Sequence, residues 1–143
     1  LVGIQRRGVS LARMLQKLIE EVEGVRLPMG VLDITFYRDD LSLLQEHPVV
    51  NATDLPFQVQ DAKIIMVDDV LYTGRTARAA MDAICDMGRP ALIQLAVMVD
   101  RGHRELPIRG DYVGKNVPTA RSEQIKVHIP PYDNTVNVDL YEK

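Results

Sequence analysis

The densest chemistry in the sequence lies in residues 64–76, Ile-Ile-Met-Val-Asp-Asp-Val-Leu-Tyr-Thr-Gly-Arg-Thr. Four apolar residues run into two adjacent carboxylates, Asp68 and Asp69, and a Thr-Gly-Arg-Thr turn follows three positions later. Ionised carboxylates accept hydrogen bonds from hydroxyl groups. A turn that opens a helix offers unpaired N–H groups and the positive end of the helix dipole, which suits a phosphate. Gly74 lets backbone approach such an anion closely, and Thr73 and Thr76 add hydroxyl donors. The pattern therefore sets acceptors for a diol about one helical turn from a phosphate cradle. A ribose 5-phosphate carries both groups at that separation.

These residues need a strand that ends beneath them and a helix that begins beyond them. Residues 63–67 read as a buried strand, 68–74 as a loop, and 76–87 as a helix with Ala77, Ala80, Met81 and Ile84 inward, stopped by Gly88 and Pro90. Upstream, residues 1–4 are a short apolar strand, followed by the polar turn Gln5-Arg6-Arg7-Gly8 and an amphipathic helix from Val9 to a stop at Gly24. A polyanion at that turn would meet N–H groups and guanidinium together. Residues 31–37 and 92–99 read as further strands, and 125–129 and 136–141 as alternating strands about a Pro-Pro-Tyr-Asp-Asn turn. The polar stretch 38–62 predicts a mobile arm, and 100–121 a polar loop region interrupted by Tyr112-Val113. Strands alternating with helices imply an α/β fold with a parallel sheet covered on both sides, in which ligands bind at the C-terminal edge of the strands.

The 143 residues predict one domain, and 46% hydrophobic with 26% charged residues is an ordinary globular composition. No apolar run approaches the length of a membrane span. Cys85 stands alone, so no internal disulfide forms and a reducing cytoplasm is the expected compartment. Three scattered histidines give no zinc spacing, and no metal ligand set is expected from the protein itself. A net charge of −3 argues against nucleic-acid binding by bulk charge, though not against a local basic face. The chain opens inside a strand without a methionine, so an N-terminal segment is expected to precede it.

Residues 64–76 resemble the phosphoribosyl-diphosphate signature of type I phosphoribosyltransferases at every position. The resemblance implies that fold: a central, mostly parallel sheet flanked by helices, with a small hood and a flexible arm at 38–62. It assigns Asp68 and Asp69 to the ribose hydroxyls and Thr73, Gly74, Arg75 and Thr76 to the 5-phosphate, with Val67, Val70, Leu71 and Tyr72 lining the same substrate site. The order strand, basic turn, helix matches the family's pyrophosphate loop and implies Arg6 and Arg7 there, with Arg38 on the arm as a second contact.

Three longer runs, residues 33–41, 99–109 and 112–119, are similar to one branch of that family, the pyrimidine operon regulators, which are uracil phosphoribosyltransferases that also bind RNA. The implied reaction converts uracil and phosphoribosyl diphosphate to UMP and pyrophosphate, with Mg²⁺ held mainly through substrate oxygens. Asp68, Asp69 and Arg38 are the expected catalytic residues. Arg101, Tyr112 and Val113 are expected at the base. His103, Arg104, Arg109 and Lys115 are expected to face leader mRNA, with UMP or UTP as effectors. A homo-oligomer is expected, and neither DNA nor membrane. A purine salvage enzyme without RNA binding, or a nucleotide-sensing regulator with negligible turnover, are the competing expectations.

Overall fold

The computed structural model describes residues 1–35 and 53–142. Its elements run β1 (Val2–Ile4), α1 (Arg7–Glu23), β2 (Gly30–Leu32), β3 (Lys63–Leu71), α2 (Arg75–Asp86), β4 (Leu92–Asp100), β5 (Tyr112–Asn116), β6 (Glu123–His128) and β7 (Asn137–Glu142). The first five strands form one parallel sheet in the order β2-β1-β3-β4-β5, and β6 and β7 form a separate antiparallel ribbon.

Strand side chains alternate between faces, and each face of the sheet has its own helix. Ile64 and Met66 of β3 join Leu95 and Val97 of β4 beneath Ala77, Ala80, Ala83 and Ile84 of α2. On the other face Val67 and Ala96 pack with Leu11 and Ala12 of α1 and with Ile129. The small alanine face of α2 lets that helix lie close to the sheet. Gly24 ends α1 at φ 69°, donating its N–H to Glu20 O at 2.9 Å. Among the described residues no helix is long and apolar enough to cross a membrane.

Four expectations change. The strand expected over 31–37 ends at Leu32, and the loop region expected over 100–121 contains β5, which extends the sheet by pairing with β4. The strand expected to stop at Val67 continues to Leu71, so Asp68 and Asp69 sit within β3 rather than in a loop. The pairing with β4 explains this, since the register runs on from Val67↔Ala96 to Leu71↔Asp100. The stretch expected as an arm is pinned in its described part: Val31 bridges Asp54, Leu55 and Phe57 pack against the α2-side core, and Val59 is buried. Those three apolar side chains at alternate positions supply the reason. Phe36, Tyr37 and Arg38, with the rest of the arm to residue 52, lie outside the described residues.

Candidate active site

The C-terminal edge of the sheet carries two strand-to-helix junctions side by side. In the first, β3 delivers Asp68 and Asp69, each of which accepts the next residue's backbone N–H on its Oδ1 at 2.8 Å. Beyond the strand end at Leu71, Tyr72 and Thr73 turn the chain, and Gly74 (φ 95°) opens α2, accepting the Arg78 N–H at 3.0 Å. Thr73 Oγ1 accepts the Arg75 N–H at 3.3 Å, while Thr73 O accepts the Glu105 N–H at 2.9 Å. Arg75 pairs with Glu105 at 2.9 Å. The turn is thus fixed from within and from the segment after β4, with a hollow of about 290 Å³ under Val70, Tyr72, Thr73, Gly74, Arg75 and Thr76.

In the second junction, β1 runs through Gln5 and Arg6 into α1. Gly8 allows the close approach: a Cβ there would stand 2.3 Å from Val67 O and 3.2 Å from Asp68 Cα. Only a residue without a side chain lets the start of α1 ride over β3, and this contact sets the basic turn beside the two aspartates. Gln5, Arg6, Arg7, Asp33, Thr35, Asp68, Asp69, Val70 and Thr76 together line one cleft of about 700 Å³. Guanidinium groups, carboxylates and a helix start therefore meet around a space that fits a sugar with anionic groups at both ends.

Arg7 is not idle there. Its Nε and Nη2 donate to Asp133 Oδ2 and Oδ1 at 3.1 and 3.2 Å. That guanidinium, with the Ile129 N–H and His128 adding to it, holds the Asp133 carboxyl well below the usual carboxylate range, and Asp133 in turn raises Arg7. The Arg6 guanidinium lies 4.7 Å from the centre of the Tyr132 ring.

A family model, phosphoribosyl transferase domain, matches residues 1–134. The chain is 66% identical over 134 residues to a "Bifunctional protein PyrR" of Caldicellulosiruptor bescii, covering 94% of this chain and 74% of that protein. It is 60% identical to the protein of that name in Acetivibrio thermocellus, covering 100% of this chain and 79% of the relative. It is a phosphoribosyltransferase of the PyrR group. Its fold is also similar to a hypoxanthine phosphoribosyltransferase from Trypanosoma cruzi solved as a ternary substrates complex, with TM-score 0.69 at 17% identity over 96% of this chain and 72% of that one. A second structure, of an asparagine mutant at an invariant aspartic acid of such enzymes, gives TM-score 0.65 at 20% identity, and this chain spans 62% of its length.

Against this phosphoribosyltransferase frame, the predicted site residues divide. Asp68, Asp69, Val70, Thr76, Arg6 and Arg7 share the cleft, and Tyr72, Thr73, Gly74 and Arg75 line the adjoining hollow. Val67 is buried in the α1-side core, and Leu71 is buried against the α2-side core with one edge on the hollow. Arg101 is buried: its guanidinium lies 4.1 Å over the Tyr72 ring, and its Nε and Nη2 donate to Thr119 Oγ1, Ala120 O and Glu123 O at 3.1, 3.2 and 2.7 Å. Through these bonds it ties the segment leading into β6 to the Tyr72 end of β3.

The structure does not bring Tyr112 and Val113 to the edge. They pair with Ala96 and Val97, so Tyr112 stands four residues short of the strand end at Asp100, roughly 13 Å along the sheet. Tyr112 instead bonds Gln94 Oε1 at 3.2 Å and borders an apolar groove beside α1. His103 and Arg104, expected on an RNA face, turn inward. His103 Nε2 donates to Thr119 O at 2.5 Å, with its ring edge-on to Tyr72 at 5.7 Å. Arg104 donates to Tyr72 O at 2.6 Å and pairs with Asp100 at 2.5 Å. Arg109 and Lys115 are exposed. Arg38 lies outside the described residues.

Sequence reasoning missed Asp133 and Tyr132. Both lie in the Pro-Pro-Tyr-Asp-Asn turn, which reads only as a reversal of the chain. Nothing local marks a contact across 126 residues.

Proposed function

We propose that the chain transfers a phosphoribosyl group from phosphoribosyl diphosphate to uracil, giving UMP and pyrophosphate, and that it also binds leader mRNA under control of uridine nucleotides. The observation that carries the reading is the single cleft in which Arg6 and Arg7 face Asp68, Asp69 and Thr76. Asp68 and Asp69 accept the ribose hydroxyls. The Thr73–Thr76 turn receives the 5-phosphate on backbone N–H groups and hydroxyls. Arg7, with Arg6 beside it, meets the diphosphate, where negative charge grows as the C1–O bond breaks. Positioning and electrostatic stabilisation supply the rate, and no nucleophilic side chain is needed.

Among the described residues no group of three or more His, Cys, Asp or Glu is set to hold a metal. The carboxylates of Asp33, Asp68 and Asp69 in the cleft are the hard oxygen donors that fit a hydrated Mg²⁺ arriving on the diphosphate. Bound there, Mg²⁺ would neutralise charge on the leaving group. Arg109 and Lys115, being exposed, are the stronger candidates for RNA phosphates than His103 or Arg104. The PyrR names of the relatives and the inward ion pairs of Arg104 support this division. The protein is expected to act in the cytoplasm as a homo-oligomer.

A base-competition assay tests the reaction: with phosphoribosyl diphosphate and Mg²⁺ present, uracil is consumed and hypoxanthine and guanine are not. Preferential turnover of hypoxanthine would make the chain a purine salvage enzyme.

A further inference from the structure

We propose that the β6–β7 turn braces the anion loop: Asp133 positions Arg7, and Tyr132 positions Arg6, for the diphosphate end of the substrate. The inference rests on the reading of the cleft given above and goes beyond it by assigning a role to a turn that lines none of its walls.

Consecutive residues of one turn hold consecutive arginines of another. Asp133 takes the Nε–Nη2 edge of Arg7 in a two-point contact that does not use Nη1, and Arg7 lines the cleft together with Asp69. The carboxylate is itself fixed. Its Oδ2 accepts the Ile129 N–H at 2.9 Å, and its Oδ1 lies 3.3 Å from His128 Nδ1. The other nitrogen of that imidazole reaches Asp139 Oδ2 at 3.0 Å, which ties the turn to β7. Tyr132 offers its ring face to Arg6, an arrangement that attracts a cation without consuming an N–H donor.

The physical consequence lies in binding entropy. A free arginine must lose its rotamer freedom when it meets an anion, and an arginine already held by a second carboxylate loses it on folding instead. Asp133 also offsets part of the repulsion between Arg6 and Arg7, so two cations on adjacent residues can face one polyanion.

The test is steady-state kinetics and direct binding of phosphoribosyl diphosphate with Mg²⁺, using the whole chain. Asp133→Asn is expected to raise KM for phosphoribosyl diphosphate about tenfold while kcat changes less than about threefold and KM for uracil is unmoved. Asp133→Glu recovers part of the loss. On an Arg7→Lys background, Asp133→Asn adds less than about twofold, because the two residues act as one unit. If kcat and both KM values move together, or KM for phosphoribosyl diphosphate stays put, the brace is wrong. Should Asp133→Asn fail to fold, Tyr132→Leu keeps the ion pair and is expected to raise the same KM about threefold, with no change overturning the proposal. The unaltered chain separates the two layers of inference. Failure of that chain to bind phosphoribosyl diphosphate removes the reading of the cleft, and the brace with it. Normal binding with Asp133 variants unaffected removes the brace alone.

Discussion

In the function proposed above, the two strand-to-helix junctions at the sheet edge bind the two anionic ends of one substrate by opposite means. The turn from Thr73 to Thr76 is stabilised by its own atoms and by the backbone of Glu105 and Leu106, and it offers neutral N–H and hydroxyl donors. The turn at Gln5–Arg6 offers charge, and that charge is oriented by Tyr132 and Asp133 from the far end of the sequence. A phosphomonoester that stays bound throughout the reaction is served by a rigid cradle of N–H groups. A diphosphate that leaves with added charge needs cations, and two flexible arginine side chains must be held in one place to supply them. The difference shows why a short motif marks one junction and no short motif marks the other.

The comparison can be broken at several points. The largest effect is expected from Asp69→Asn, which removes a charged acceptor from the first junction only. Phosphoribosyl transfer should fall by roughly a hundredfold while leader-RNA affinity, measured by filter binding or calorimetry, is retained. Equal loss of both would mean that the two functions share this edge.

The two glycines give the next contrast. An alanine at position 8 would put its Cβ 2.3 Å from Val67 O, whereas one at position 74 meets Ile108 at 3.4 Å, with only its φ of 95° against it. Denaturant midpoints should therefore show Gly8→Ala costing about 3 kcal/mol and Gly74→Ala about 1 kcal/mol. The reverse order would say that the Gln5–Arg6 turn is looser than its packing implies.

The smallest effect is expected in acid. The Asp133 carboxyl is held below its ordinary value, chiefly by Arg7, so the unfolded chain binds its proton first as pH falls. The stability it contributes is complete above about pH 4 and is lost as pH drops through the folded value. Hydrogen-exchange protection of the Ile129 amide, which Asp133 accepts, should stay level from pH 7 to pH 5 and decline only below pH 4. Protection of the Arg75 amide, whose acceptor is the Thr73 hydroxyl, should show no such step. A parallel decline would remove the distinction between the junctions.

The amino-acid sequence by itself determined the parallel α/β fold, the helices on either side of the sheet, and the strand-to-helix junction that carries Asp68, Asp69 and the Thr73–Thr76 turn. These follow from local rules: apolar strands, helix periodicity, and a glycine where the chain must turn. It also placed Arg6 and Arg7 at a second junction, because a basic turn between strand and helix is a local pattern too. Tertiary structure alone decided what those cations do. It extended β3 through both aspartates by pairing with β4, drew Tyr112 down the sheet by register, and buried Arg101 against Tyr72 and the backbone before β6. It turned His103 and Arg104 inward, and it set Asp133 on Arg7 across 126 residues. Register and ion pairing depend on which surfaces meet after folding, and residue spacing along a chain carries no record of that.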